Sequence, residues 1–448
     1  MMNHHLASPR RARSAQIWAR SAGNRARSAG NRARSAGNRA RSAGNRARSA
    51  AVATSIAVAT TITTVAVTSI AVGPASADVL PPTGAPDWSG MDVRHVGPPS
   101  GSKPGQLLGQ VPLASHLSVP AAGTAVRIHY VTPDQHRKTA SSTGVVFLPR
   151  GKAPAGGWPV IAWAHGTVGL GDSCTPSAQP RSARDAHYLS HWLRQGYAIV
   201  GTDYAGLGTP GLMSYLNGST EAHSIVDSVK AARKTGLPLA KRWTIVGQSQ
   251  GGGAALAGAH QATALSRGTG LDYRGVVATG TPANIEHIVS LAGPYAVAPL
   301  PTGLATYMAY IFAGFGEARP DLHVERILTP LGRRMVAQAK TRCYPEMSTS
   351  VERTIGHWFN APLRSIPGVL GALTAYMGTP IDGYDRPIFL GQGLLDIDVP
   401  APSSLSLYAQ LRANNQPVEL HVYPNRDHSG TVYASTADST PFLARIMR

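Results

Sequence analysis

The sequence predicts an α/β fold, a mostly parallel sheet with helices on both faces and a helical cap inserted late in the chain. Three observations predict it. Short, nearly continuous apolar runs recur at residues 158–164, 197–202, 243–246, 273–279, 387–390 and 418–422, as parallel strands covered on both faces require. Helical patterns lie between these runs, and alternating strands and helices build a layered sheet. After residue 279 the next strand pattern comes only at 387, with helical patterns between. That interval is too long for one crossover and reads as an insertion.

The elements follow in order. Residues 20–47 repeat a seven-residue unit, RSAGNRA, four times. Its Ala, Gly, Ser and Asn cannot pack a coiled-coil seam, so it reads as a low-complexity basic arm. Residues 50–72 are Ala, Val, Ile, Thr and Ser without charge, and Gly-Pro-Ala-Ser-Ala follows. Basic arm, apolar stretch and small-residue site together make a secretory signal, with cleavage after Ala77. A retained membrane anchor is the alternative, since the apolar run is long enough to span a bilayer.

Residues 78–123 are rich in Pro, Gly and Ser and form an extended lead-in. Residues 124–130 alternate apolar and polar, as a half-buried strand does; 144–148 reads as its antiparallel partner. The core then runs over 124–281 and resumes at 382–448, around a cap at 282–381. Helices are expected at 187–195, ended by Gly196, at 222–234, and at 252–265. Within the cap they are expected at 305–315 and 331–341. The stretch 307–315 reads as core, with an acyl-tunnel lining as the second reading.

Composition excludes other classes. At 43% hydrophobic and 15% charged, the chain can bury a large core and is not wholly disordered. The net charge of +19 suggests nucleic-acid binding, but 12 of the arginines lie in residues 1–77, where there is no acid. The remainder shows no clustered basic patch, so no nucleic-acid partner is expected. No metal-ligand spacing and no phosphate-cradling loop is present, so no cofactor and no metal are expected. The two cysteines, Cys174 and Cys343, suggest one disulfide in an exported chain.

One pentapeptide carries the chemistry. Gly247-Gln248-Ser249-Gln250-Gly251 follows the strand pattern 243–246 and opens the helix pattern at 252. A Gly-x-Ser-x-Gly between strand and helix is a nucleophile elbow. Its small residues let strand and helix approach, and the strained turn pushes the Ser249 hydroxyl outward. A serine hydroxyl needs a base. His428 follows the last strand, in a polar loop, as the Ser…Asp…His order demands. His421 is a poorer choice because it lies within the strand. The acid that orients the base is read as Asp396, in Gly-Leu-Leu-Asp-Ile-Asp-Val-Pro after the strand 387–390. Asp398 also qualifies by position; Asp382 and Asp385 precede the strand, at its wrong end. For the oxyanion, the N–H of Gln250 is one donor. Residues 165–167 and 203–206 both offer a second, with Thr167 preferred.

At these residues the chain resembles the secretory lipases of the α/β-hydrolase superfamily, the yeast lipase A type. The resembling stretches are 162–169 (AWAHGTVG), 172–177 (DSCTPS), 191–208 (HWLRQGYAIVGTDYAGLG), 246–252 (VGQSQGG), 280–283 (GTPA) and 395–400 (LDIDVP). The resemblance implies the α/β-hydrolase fold, carboxylic-ester hydrolysis and a cap over an acyl pocket. It also implies that Asp203 joins Gln250 in the oxyanion hole, with Thr167 as second choice. Gln248 departs from the pattern, where the yeast enzymes tend to carry an aromatic residue. The expectation is an exported serine lipase or esterase, secreted or in the cell envelope, with Ser249, Asp396 and His428 as its triad. Its partners are a small-molecule ester or acylglycerol and, transiently, a lipid interface; it is expected to be a monomer. A serine peptidase or amidase on the same fold, or a catalytically dead surface binding protein, are the alternatives.

Overall fold

The computed structural model describes residues 84–448. The basic arm, the apolar run and the cleavage expected after Ala77 lie outside the described residues.

Three strands open the sheet: β1 (Leu107–Pro112), β2 (Ala122–Pro133) and β3 (Thr139–Pro149). They pair antiparallel, with Val126 opposite both Pro112 and Val146. Of these, β1 falls inside the expected lead-in. Its sequence LLGQVP carries a Gly and a Pro, and it is an edge strand with no fully buried residue. Such strands leave little alternation to read.

The parallel part follows as β4 (Trp158–Ala164), α1 (Ala183–Arg194), β5 (Ala198–Thr202), α2 (Gly218–Ala232), β6 (Leu239–Gln248), α3 (Gln250–Leu265) and β7 (Asp272–Thr279). A helical insertion comes next: α4 (Ile285–Val289), α5 (Thr302–Ala318), α6 (Pro330–Ala339), α7 (Tyr344–Ser350) and α8 (Val369–Met377). The chain then returns with β8 (Ile388–Gly393), α9 (Pro402–Ala413), β9 (Val418–Tyr423) and α10 (His428–Ile446). The nine strands form one sheet in the order β1-β2-β3-β5-β4-β6-β7-β8-β9. All pairs from β5 to β9 are parallel.

The period-two geometry of a strand sorts its side chains to two faces. On β4, Val160, Ala162 and Ala164 enter one core, and Ile161 and Trp163 enter the other. The first core is closed by Ile225, Val226 and Val229 of α2 and by Leu256 of α3. These α2 residues recur at helical spacing, and that apolar stripe is what docks the helix. The second core is closed by Tyr188, Leu189 and Trp192 of α1 and by Phe442 and Leu443 of α10. Helices thus cover both faces.

Helix α5 packs its aromatic stretch inward. Tyr310 lies 5.6 Å from Tyr215, Phe312 5.2 Å from Phe359 and Phe315 5.4 Å from Tyr376, ring centre to ring centre. These rings fill a core. Cys174 and Cys343 form a disulfide. No described helix is long and apolar enough to cross a membrane.

Candidate active site

The site is built where β6 turns into α3. Ser249 sits between them with φ 60° and ψ −129°, a strained conformation for a residue with a Cβ. The close approach that forces this strain is read from its two glycines. A Cβ on Gly247 would stand 1.9 Å from the carbonyl oxygen of Gly251. A Cβ on Gly251 would stand 1.9 Å from that of Ala164. Neither position tolerates a side chain. The Ser249 N–H donates to the Thr279 carbonyl at the end of β7, at 2.9 Å.

His428 reaches the same place from the far end of the chain. It is the first residue of α10, not part of a loop as expected. Asp427 caps that helix, accepting from the Gly430 N–H at 2.7 Å, and so sets where the helix begins. The His428 Nδ1–H donates to Asp396 Oδ2 at 2.7 Å. Asp396 is buried and held by more than this bond. Its Oδ1 accepts the N–H groups of Asp398 and Val399 at 3.0 and 2.8 Å, and Gln392 Nε2 stands 3.5 Å from Oδ2.

The other candidates make no bond to His428. The Asp398 carboxylate turns to the insertion and accepts the Tyr307 hydroxyl at 3.0 Å. His421 stacks on Phe389 at 4.4 Å, in the body of β9. Asp382 and Asp385 precede β8. Asp396, Asp398 and His428 form the one group among the described residues whose ligand atoms lie within 4.8 Å of one another. Both oxygens of Asp396 already accept N–H donors.

Asp203 requires a correction. Its N–H donates to the Thr143 carbonyl on β3 at 2.8 Å, so it is not available to an oxyanion. Its carboxylate is buried against the Thr143 hydroxyl and the Ser177 N–H. The segment 165–167 lies against Ser249 instead, since a Cβ on Gly166 would stand 3.4 Å from the Ser249 Cβ. His165 braces that segment, its Nδ1–H donating to the Gly166 carbonyl at 2.7 Å and its ring packing on Tyr204. Burial pushes the His165 imidazole down towards its neutral form. Gln250 heads α3, and the first N–H groups of a helix have no partner within it.

Three residues were not anticipated. Gln248 Nε2 lies 2.8 Å from His428 Nε2. Gly280 lies against the His428 ring. Glu221, on α2, accepts the Gln250 side-chain amide at 2.7 Å and the Leu216 N–H at 3.2 Å. Burial pushes Glu221 up to about 8. It lies just before the helix pattern expected at 222–234, and nothing there gave a signal of this. Gln248 carried one as the departure from the aromatic residue of the yeast enzymes, and Gly280 carried one as the first residue of the resembling stretch GTPA.

The Secretory lipase family model matches residues 181–354, which contain the elbow and most of the insertion. The Prolyl oligopeptidase family model matches residues 374–447. No curated protein matches in sequence. Solved structures match in fold. The closed state of Candida antarctica lipase A is 18% identical, over 78% of this chain and 84% of that one, with a TM-score of 0.63. The rice cell wall degrading esterase LipA from Xanthomonas oryzae is 20% identical, over 77% and 100%, with a TM-score of 0.62. A putative hydrolase from Legionella pneumophila is 19% identical, over 77% of this chain and 98% of that one, with a TM-score of 0.61. At these identities the likeness shows the fold.

Proposed function

We propose that this lipase-type α/β-hydrolase, a carboxylic-ester hydrolase, is an exported serine enzyme that works through an acyl-enzyme on Ser249. The observation that carries the reading is the junction at the end of β7. Thr279 accepts the N–H of Ser249, and the next residue, Gly280, lies against His428. One dipeptide thus touches both residues, which supports reading Ser249 as the nucleophile and His428, bonded to Asp396, as its base.

The chemistry follows. Ser249 Oγ attacks the ester carbonyl carbon and passes its proton to His428 Nε2. The carbonyl oxygen takes the negative charge and is held by the N–H groups of Gln250 and Thr167. The C–O bond to the alcohol breaks, and His428 returns the proton to the leaving oxygen. Water then adds to the acyl-enzyme, with His428 again taking and returning a proton, and releases the acid and free Ser249. Asp396 holds the imidazole tautomer and stabilises the imidazolium. No step calls on a cofactor.

The Prolyl oligopeptidase match covers the C-terminal segment that holds Asp396 and His428. Ester and amide hydrolases use the same constellation, so this match carries no preference for amides. The basic arm and apolar run before residue 78, with the secretory family match, support export. The test is the hydrolysis of p-nitrophenyl esters from acetyl to palmitoyl, with Ser249→Ala as control. Turnover lost in the variant supports the reading, and the chain length at the maximum defines the acyl pocket. Equal turnover in both proteins would overturn it.

A further inference from the structure

Gln248 is the last residue of β6, immediately before Ser249, and it is buried. Its Nε2 is 2.8 Å from His428 Nε2. His428 donates its Nδ1–H to Asp396, which leaves the neutral ring with a lone pair at Nε2. The partner of that lone pair must be a donor, so the Gln248 amide gives it an N–H. The reverse amide orientation would set two lone pairs against each other. The remaining atom of the amide is isolated. Gln248 Oε1 is buried with no hydrogen-bond partner among the described residues. The backbone closes on it, since a Cβ on Gly166 would stand 2.9 Å from it. The amide thus leaves one acceptor unpaired while it keeps its bond to His428, and an unpaired buried acceptor is costly.

The lone pair that Gln248 occupies is the one that must accept the proton of Ser249. We propose that Gln248 is a positioning residue that restrains the base: in the resting enzyme it occupies Nε2 of His428, and acylation starts when His428 exchanges this bond for one from Ser249. The inference rests on the reading of Ser249 and His428 given above. It identifies a determinant of rate outside the triad. The residue before the nucleophile sets how much of the enzyme holds its base free for the serine. A phenylalanine or aliphatic side chain there has no hydrogen to donate and leaves the base unoccupied.

The full chain is compared with Gln248→Met, which keeps length and shape without the donor, and with Gln248→Leu as a second apolar variant. The first readout is the rate of Ser249 phosphonylation by a fluorophosphonate, which does not depend on acyl recognition. It is expected to rise about 2- to 10-fold, the range that one neutral hydrogen bond allows. With p-nitrophenyl esters kcat rises and KM does not. The second readout is the 15N resonance of His428 Nε2. It is expected to move in the Gln248 variants and to stay in place in Ser249→Ala, where the nucleophile is gone and Gln248 remains. The comparison of wild type with Ser249→Ala needs no Gln248 variant to fold. A resonance that moves in Ser249→Ala, or a phosphonylation rate that falls or holds in folded Gln248 variants, overturns the inference. Failure of the wild type to label at Ser249 sinks the serine-enzyme reading itself, so the two failures are distinct.

Discussion

Gly280 packs against the edge of His428 so closely that a Cβ there would stand 2.9 Å from the ring Cε1 and 3.0 Å from Nδ1. The same Cβ would lie 3.4 Å from Asp396 Oδ2. The backbone adds a second reason for glycine, with φ at +53°, where a Cβ is strained.

Gly280→Ala is therefore expected to push the imidazole off its bond to Asp396 while the sheet around it stays folded. Misplacement of a reacting group by about 1 Å costs about 100-fold in rate. The measurement is kcat on a p-nitrophenyl ester, with the melting temperature taken alongside. A variant that keeps full kcat would show that His428 needs no fixed seat.

The two aspartates after β8 are separable by substitution. Asp396→Asn takes away the carboxylate that fixes the His428 tautomer, and a loss of about 10,000-fold in kcat is expected from the general behaviour of such triads. Asp398→Asn keeps its N–H on Asp396 Oδ1 and changes only the contact with Tyr307. Its kcat is expected to stay within about 10-fold of wild type, the effect of one altered hydrogen bond. Comparable losses in both variants would overturn this assignment of roles.

The parts of the molecule legible in its sequence are those fixed by local pattern. The run 158–164 is apolar at every position, so it had to be a strand buried on both faces, and it is β4. Ser249 was visible because a steric requirement, two glycines flanking a turn, is written into five adjacent residues. Other features depend on partners distant in the chain. The N–H of Asp203 looked available in a turn; its acceptor on Thr143 lies 60 residues away and emerges only with the β3–β5 pairing. The start of α10 at His428 was hidden because the helix is rich in Ser, Thr and Ala and contains Pro441, which blurs a helical pattern. Gln248 meets His428 across 180 residues, and no local rule joins them.

The disulfide joins the segment after the site to the insertion. Cys174 follows the stretch that includes Thr167, and Cys343 precedes α7. Beside it Gly169 bridges to Cys343, and the Tyr344 N–H donates to the Val168 carbonyl at 2.8 Å. The bond closes a loop across a sequence separation of 169, so its loss releases much chain in the unfolded state. Replacing both cysteines by serine is expected to cost about 2–5 kcal/mol, read as a lowered denaturation midpoint. Reductant should reproduce the shift in the wild type and leave the double variant unmoved. Equal midpoints in all four conditions would show that the bond contributes nothing to stability.

Glu221 makes stability depend on pH in a direction opposite to that of a salt-bridged acid. Burial beneath Gln250 raises it from an ordinary 4.5 to about 8. The neighbouring hydroxyls of Tyr204, Tyr215 and Tyr376 are pushed upward by burial as well and stay neutral. A carboxyl raised on folding contributes its full stability below the unfolded value, where both states are protonated. It loses that contribution as pH rises from about 4.5 towards about 8. Glu221→Gln keeps an acceptor for the Gln250 amide and removes the titration. The variant is expected to gain on wild type steadily across this window, by roughly 4–5 kcal/mol at its upper end. Denaturant midpoints measured at intervals from pH 4.5 to 8.5 test this. A stability difference that stays constant over that range would mean that Glu221 ionises in the folded protein as it does in the unfolded chain.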